Sequence, residues 1–163
     1  MKIGMMSDTH DRLDAVEKAV KLFNSERVEH VLHAGDLVSP FVAPKFKELK
    51  AKLHYVWGNN EGDRELVRLR FGELGIAPLG DFAALELEGR KIALLHGTHK
   101  LIVDSLANGG LFDAVVHGHT HRAEVIEGKT LVVNPGEVCG YLSGRQTVAV
   151  LDLSRLSAEI IEL

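Results

Sequence analysis

The sequence predicts an α/β fold of two packed sheets with helices outside, and three observations carry the prediction. Apolar strand-like runs alternate with segments of helical period in the first half, which implies right-handed crossovers and a mainly parallel sheet. The second half pairs β-rich runs around tight turns, as hairpins do. With 163 residues, 45% of them apolar, the chain can bury the core that such a fold requires. No linker, repeat array or low-complexity segment divides it, so one domain over residues 1–163 is expected.

In order, "KIGMMS" reads as a buried first strand, and "DAVEKAVKLF" follows with Val16, Ala19, Val20 and Phe23 at helical spacing. "HVLHAG" is a second short strand. After Pro40, helical spacing runs through Phe46 and Leu49, with Pro44 tolerable only in an early turn. "LHYVWG" is a third strand leading to a helix around "RELVRLRFGEL". Beyond it, "FAALELEGRKIALLHG" and "AEVIEGKTLVVNPG" each fold back around Glu-Gly, and "TVAVLDL" pairs with "AEIIEL" across residues Ser154 to Ser157. One helix, near Leu101 to Ala107, interrupts these hairpins.

Lys and Arg number 19 against 23 Asp and Glu, a net charge of -4, and no segment concentrates basic residues into a nucleic-acid footprint. Long nucleic acids are therefore not expected as partners. Cys139 is the only cysteine, which excludes an internal disulfide framework and a cysteine-rich zinc module and favours a reducing compartment. Met1 to Ser7 lack the features of a signal peptide, and no apolar run approaches the ~20 residues of a membrane span. A cytoplasmic location is the expectation.

The carboxyl ends of the apolar runs share a pattern that secondary structure does not require. They carry Ser7-Asp8-Thr9-His10, Gly35-Asp36, Gly58-Asn59-Asn60, His96-Gly97, Gly118-His119-Thr120-His121 and Asn134-Pro135-Gly136. Open α/β sheets place ligands beyond the carboxyl ends of their strands, so these groups would converge if the strands are neighbours. Two aspartates, up to four neutral imidazoles and an amide oxygen make a mixed nitrogen and oxygen set that suits Mn, Fe, Co, Ni or Zn better than Ca or Mg alone. Seven candidates are too many for one ion, whereas two ions sharing a carboxylate fit.

Each piece alone has a plainer reading. Asp8 could cap the following helix, and the Gly35 and Gly58 segments are ordinary turn sequences. Alternate histidines after a buried strand are harder to dismiss, because each would cost desolvation without a partner. His33, inside "VLHAG", reads as a hydrogen-bonded core residue. His30 and His54 read as surface or packing residues, and His99 as a doubtful contact.

The ordered set Asp8-x-His10, Gly35-Asp36, Gly58-Asn59-Asn60-Glu61, His96-Gly97 and Gly118-His119-Thr120-His121 closely resembles the calcineurin-like metallophosphoesterase superfamily, in its YfcE-like branch of small phosphodiesterases. The resemblance implies a four-layer α/β/β/α sandwich of two mixed sheets flanked by helices. It also implies a centre of two divalent transition-metal ions, Mn above all, with Ni, Fe, Co or Zn as alternatives. Asp8, His10, Asp36 and His121 would hold one ion; Asp36, Asn59, His96 and His119 would hold the other. Asp36 would bridge them, and His117 would pack rather than bind metal. The activity implied is hydrolysis of a small phosphodiester by a hydroxide activated between the ions, with Asp36, Asn59 and Asn60 at the reacting centre. A homo-oligomer, dimer or tetramer, would fit the family.

The chain departs from the family pattern at Asn60, where larger members carry a histidine. An amide cannot serve as a general acid, so the leaving-group proton must come from water or another residue such as His99, or not at all. Glu137 stands where many relatives have a small hydroxyl residue, which leaves the part played by its loop open. The rival readings are a phosphomonoesterase or nuclease built on the same centre and a non-catalytic metal-binding scaffold, since a retromer subunit of similar fold works as one.

Overall fold

The computed structural model describes residues 1–163. In chain order the elements are β1 (Lys2–Met6), α1 (Leu13–Glu26), β2 (His30–His33), a 3-10 helix (Pro40–Phe46), β3 (Lys52–Tyr55), α2 (Arg64–Gly72), β4 (Phe82–Leu87) and β5 (Arg90–Leu95). They continue with α3 (Lys100–Asn108), β6 (Ala114–Val116), β7 (Ala123–Ile126), β8 (Leu131–Pro135), β9 (Thr147–Asp152) and β10 (Ser157–Glu162). Two five-stranded sheets result, ordered β10-β9-β1-β2-β3 and β4-β5-β6-β8-β7. β1, β2 and β3 run parallel, as do β5, β6 and β8, while the hairpin partners β4, β7, β9 and β10 add antiparallel strands. Both sheets are therefore mixed.

The period-2 alternation of the strands assigns each apolar side chain to a layer. Ile3, Met5, Leu32, Ala149 and Leu151 of the first sheet meet Ile92, Leu94, Ala114, Val116 and Val133 of the second in a shared core. Met6, Val31, Leu53, Tyr55, Val148 and Val150 face the other way, onto α1, α2 and the 3-10 helix. Ala93, Leu95, Val115 and Val132 face α3 through Val103. The order is helix, sheet, sheet, helix. Each buried Leu, Ile or Val contributes about 1.5–3 kcal/mol, which is why this two-sided patterning outweighs local propensity in short strands.

The segment after Pro40 differs from the helix its spacing predicts. It closes as a 3-10 helix that ends at Phe46, with Pro44 inside it and Leu49 beyond it. Pro44 has no amide hydrogen for a longer helical ladder, whereas Ser39 caps the start by accepting from the Phe41 amide at 3.4 Å. Asp8 caps nothing either: α1 begins at Leu13 with Arg12 in the capping position and no side-chain cap bond.

The strand exits are laced together beyond the sheets. The amides of Asp8 and His10 donate to the carbonyls of Gly35 (3.0 Å) and Asp36 (3.1 Å), which ties the exit of β1 to that of β2. The Gly118 amide donates to the His96 carbonyl at 2.9 Å, and the Val138 and Cys139 amides donate to the Ser7 and Asp8 carbonyls at 3.1 Å. These last two bonds cross from one sheet to the other and hold both sets of loops at one end of the sandwich.

Candidate metal centre

Asp8, His10, Asp36, His119 and His121 lie in loops that adopt the left-handed region, with φ of 52, 38, 61, 70 and 59°. Side chains rarely tolerate this backbone, at a cost of roughly 1–3 kcal/mol each, so five such residues converging marks a functional cluster. Two glycines allow the crowding. A Cβ on Gly118 would sit 2.6 Å from both Asp8 Oδ2 and Ser7 Oγ, and a Cβ on Gly58 would overlap Asp36 Oδ1.

Asp36 lies at the middle. Its Oδ2 is 3.4 Å from His10 Nε2 and 3.4 Å from His96 Nε2. Asn60 fixes this carboxylate by donating from its backbone amide to Oδ1 (2.8 Å) and from Nδ2 to Oδ2 (3.0 Å). Asp8 is held similarly: Oδ2 accepts from Ser7 Oγ (2.6 Å) and from the His119 amide (3.0 Å), which leaves Oδ1 facing His121 Nε2 at 3.3 Å and His10 Nε2 at 3.8 Å.

The imidazoles are oriented from behind. His96 Nδ1 donates to the Ala34 carbonyl at 2.7 Å, and His121 Nδ1 donates to Glu137 Oε2 at 2.6 Å. In a neutral ring with Nδ1 as the donor, Nε2 presents a lone pair, here directed at a carboxylate oxygen. Lone pair facing lone pair is stable only with positive charge between them. Asp8 Oδ1, His10 Nε2 and His96 Nε2 are accordingly buried with no hydrogen-bond partner, and Asp8, His10 and Asp36 offer ligand atoms within 4.8 Å of one another. These donors fit a cation.

Electrostatics agree with the geometry. Burial pushes the Asp36 carboxyl up, but His96 and Asn60 outweigh it and hold the group well below the usual carboxylate range. Burial also opposes Asp8, and the neighbouring His10 ring and the Ser7 hydroxyl carry it down. The His10 imidazole is raised, chiefly by Asp8. For His96 burial is the largest influence and a lowering one, yet Asp36 overcomes it and raises the ring. The carboxylates thus stay ionised at neutral pH and draw positive charge inward.

Of the expected ligands, Asp8, His10, Asp36, His96 and His121 surround this space. Asn59 and His119 stand at its open edge: His119 Nδ1 meets Asn59 Oδ1 at 2.9 Å, and the two rings of His96 and His119 lie edge to face at 5.1 Å. His117 is buried behind the loop, with Nδ1 donating to the Gly118 carbonyl at 3.2 Å, and takes no place in the cluster. His33 is fully buried, bonded to the Gly35 amide (3.1 Å) and beside Thr9 Oγ1 (3.4 Å). His99 lies outside the cluster, on the adjoining cavity.

Several groups named in the sequence take supporting roles that the sequence does not assign. Glu137 is fully buried; its carboxylate also accepts from Cys139 Sγ (3.0 Å) and from the amides of Tyr141, Leu142 and Ser143. Burial opposes its ionisation, but these donors hold it at about 2. Glu61 accepts from the Asp36, Val38 and Gly58 amides and so shapes the Asp36 loop. Cys139 approaches His10 and His121 closely enough to be a ligand. Burial and the neighbouring Glu137 raise its thiol to about 12, which keeps it protonated. Asn134, the start of the Asn-Pro-Gly turn, binds Gly118 O and Thr120 Oγ1 and braces the histidine loop instead of entering the site.

Comparison with known proteins places this arrangement. The model of the calcineurin-like phosphoesterase superfamily domain matches residues 1–156. Phosphodiesterase MJ0936 of Methanocaldococcus jannaschii is 41% identical over 157 residues, 95% of each chain, and phosphodiesterase YfcE of Escherichia coli is 26% identical over 85% of this chain and 79% of its own. Among solved structures, an archaeal phosphodiesterase superposes with a TM-score of 0.94 at 40% identity, covering all of both chains. Vps29 of Chaetomium thermophilum, at 16% identity and a TM-score of 0.72 over 100% of this chain and 96% of its own, shares the fold. No helix is long and apolar enough to cross a membrane. By sequence match, by fold and by the convergence of these carboxylates and imidazoles, the chain belongs to the calcineurin-like phosphoesterase superfamily.

Proposed function

We propose that the chain is a metal-dependent phosphodiesterase that holds two divalent transition-metal ions and hydrolyses a small phosphodiester. One observation carries the reading: Asp8 Oδ1, His10 Nε2 and His96 Nε2 are buried, without hydrogen-bond partners, and grouped about Asp36. Asp8, His10 and His121 would hold one ion, Asn59, His96 and His119 the other, and Asp36 would serve both. Ions bound there supply Lewis acidity that activates water near neutral pH and offsets the charge of phosphate oxygens. The relatives named phosphodiesterase support the substrate class.

The chain's own groups do the rest. Glu137 and the Ala34 carbonyl fix the tautomers of His121 and His96, and Asn60 keeps Asp36 turned toward both sides. The Asn60 amide is too weak an acid to protonate a leaving group, so diesters with stabilised leaving groups react best. Manganese suits the donor set, with nickel, iron, cobalt or zinc as substitutes. A cytoplasmic location and a homo-oligomeric state complete the reading.

The experiment is hydrolysis of bis(p-nitrophenyl) phosphate by chelator-treated protein with each metal restored in turn, beside the corresponding monoester. Metal-dependent release that favours the diester, and that disappears in Asp36→Ala, is the expected result. A monoester preference would support the phosphatase alternative. Bound metal without turnover of any phosphoester would support the scaffold reading.

A further inference from the structure

Beside the metal centre a cavity of about 310 Å3 opens against Asn59 and His96, two of the groups assigned to one ion. Its far walls have no part in holding metal. Trp57, at the exit of β3, forms one wall, with the Arg64 guanidinium 5.3 Å from the centre of its ring. Arg64 donates to the Gly58 carbonyl (3.2 Å) and to Asp81 Oδ1 (3.4 Å), which keeps its guanidinium beside the indole. Leu95 and, from the first turn of α3, the half-exposed Ile102 line the same cavity.

An indole with a guanidinium over its ring and an exposed aliphatic side chain, all lining one cavity, favour a flat π-system over an alkyl chain or a second charge. Because the cavity includes Asn59 and His96 in its lining, a group seated in it would lie beside a phosphate held by those residues' ion. The geometry points to this cavity as the seat of one ester arm of the diester, with a flat aromatic group, aryl or nucleobase, as the arm it selects. This assignment rests on the phosphodiesterase reading and deepens it.

Trp57 is the only tryptophan in the chain, so its emission reports on the cavity directly. The manganese-loaded protein is titrated with phenylphosphonate, thymidine 5'-monophosphate and methylphosphonate, which share the phosphonate or phosphate head and differ in the arm. Phenylphosphonate should quench Trp57 emission and bind about tenfold more tightly than methylphosphonate, the ratio one stacking contact supplies. Tighter binding of the thymidine compound than of phenylphosphonate would identify a nucleobase arm; the reverse would identify an aryl arm. Inhibition constants on Trp57→Leu and Ile102→Ala should lose most of the ring preference while methylphosphonate binding holds. Equal affinity for phenyl and methyl compounds in the unmodified protein, or a ring preference intact in both variants, overturns the assignment. Ring-selective binding without hydrolysis of any diester would overturn the phosphodiesterase reading and leave the cavity's preference standing.

Discussion

His121 donates its Nδ1 hydrogen to the buried Glu137 carboxylate at 2.6 Å. The same carboxylate gathers the Cys139 thiol and three backbone amides, so the histidine is fastened to a rigid loop and its Nε2 faces Asp8 Oδ1. A carboxylate behind a ligating imidazole raises its basicity and fixes its tautomer.

Glu137→Gln keeps the shape but removes the charge and turns an NH2 group toward donors. We expect divalent-metal affinity to fall about 10- to 100-fold, measured by isothermal titration of chelator-treated protein. Affinity equal to that of the unmodified chain would mean that Glu137 serves the loop alone.

Gly58→Ala tests the close approach of β3's exit to Asp36. The new Cβ would overlap Asp36 Oδ1 and lie 2.8 Å from its Cγ, and neither backbone nor carboxylate can yield without moving Asp36. Hydrolysis should drop at least tenfold and stability by about 1–3 kcal/mol. Gly72→Ala is the matched control: its Cβ meets nothing within 4 Å at the end of α2, and restriction of the unfolded chain should stabilise by about 0.4–1 kcal/mol. Equal behaviour of the two variants would refute the steric account.

Much of this was legible in the residues. Val16, Ala19, Val20 and Phe23 announce α1, and Ile3, Met5, Ile92 and Leu94 carry the alternation that sorts strands into layers. The strand-end rule gathers Asp8, His10, Asp36, His96 and His121 because each lies in the loop that leaves the carboxyl end of β1, β2, β5 or β6. The support that Glu137 gives His121 was not legible, since the two lie 16 residues apart and meet only because β6 and β8 are neighbours in one sheet; the bond from Ser7 to the Gly136 carbonyl, 129 residues away, depends on the packing of the two sheets. The segment after Pro40 is a 3-10 helix ending at Phe46 and not a helix reaching Leu49, because the apolar spacing of Phe46 and Leu49 does not distinguish the two and Pro44 falls inside the helix, not in its first turn.

Metal should stabilise the fold as well as enable chemistry, because buried Asp8 and Asp36 otherwise rely on the imidazoles for compensating charge. At a free concentration 100 times its dissociation constant, an ion that binds only the folded chain adds about 2.7 kcal/mol. For a chain of this size that is about 5–10 °C in Tm, readable by calorimetry with and without manganese. Asp36→Ala should melt at the same temperature under both conditions. A metal-induced rise of undiminished size in that variant would remove Asp36 from the binding set.

Acid stability should depend on a pair remote from the centre. His30 Nδ1 and His54 Nε2 lie 2.9 Å apart with their rings stacked at 5.1 Å, and His54 is buried in β3. Burial first, then His30 and Lys52, push His54 down to about 4, and burial and Lys52 lower His30 as well. Above about pH 6.5, the ordinary value for histidine, folded and unfolded chains both carry neutral His54, so it contributes no pH dependence. Between 6.5 and 4 the unfolded chain binds a proton that the folded chain refuses, and stability falls as pH falls. Below 4 both forms are protonated and the loss levels off. At about 1.36 kcal/mol per unit, the cost at pH 4 is on the order of 2–3 kcal/mol. Denaturant unfolding of chelator-treated protein between pH 8 and 4 should therefore be flatter for His54→Gln than for the unmodified chain by about that amount. Parallel curves would show that the two imidazoles share a proton in the folded state and that burial does not keep His54 neutral.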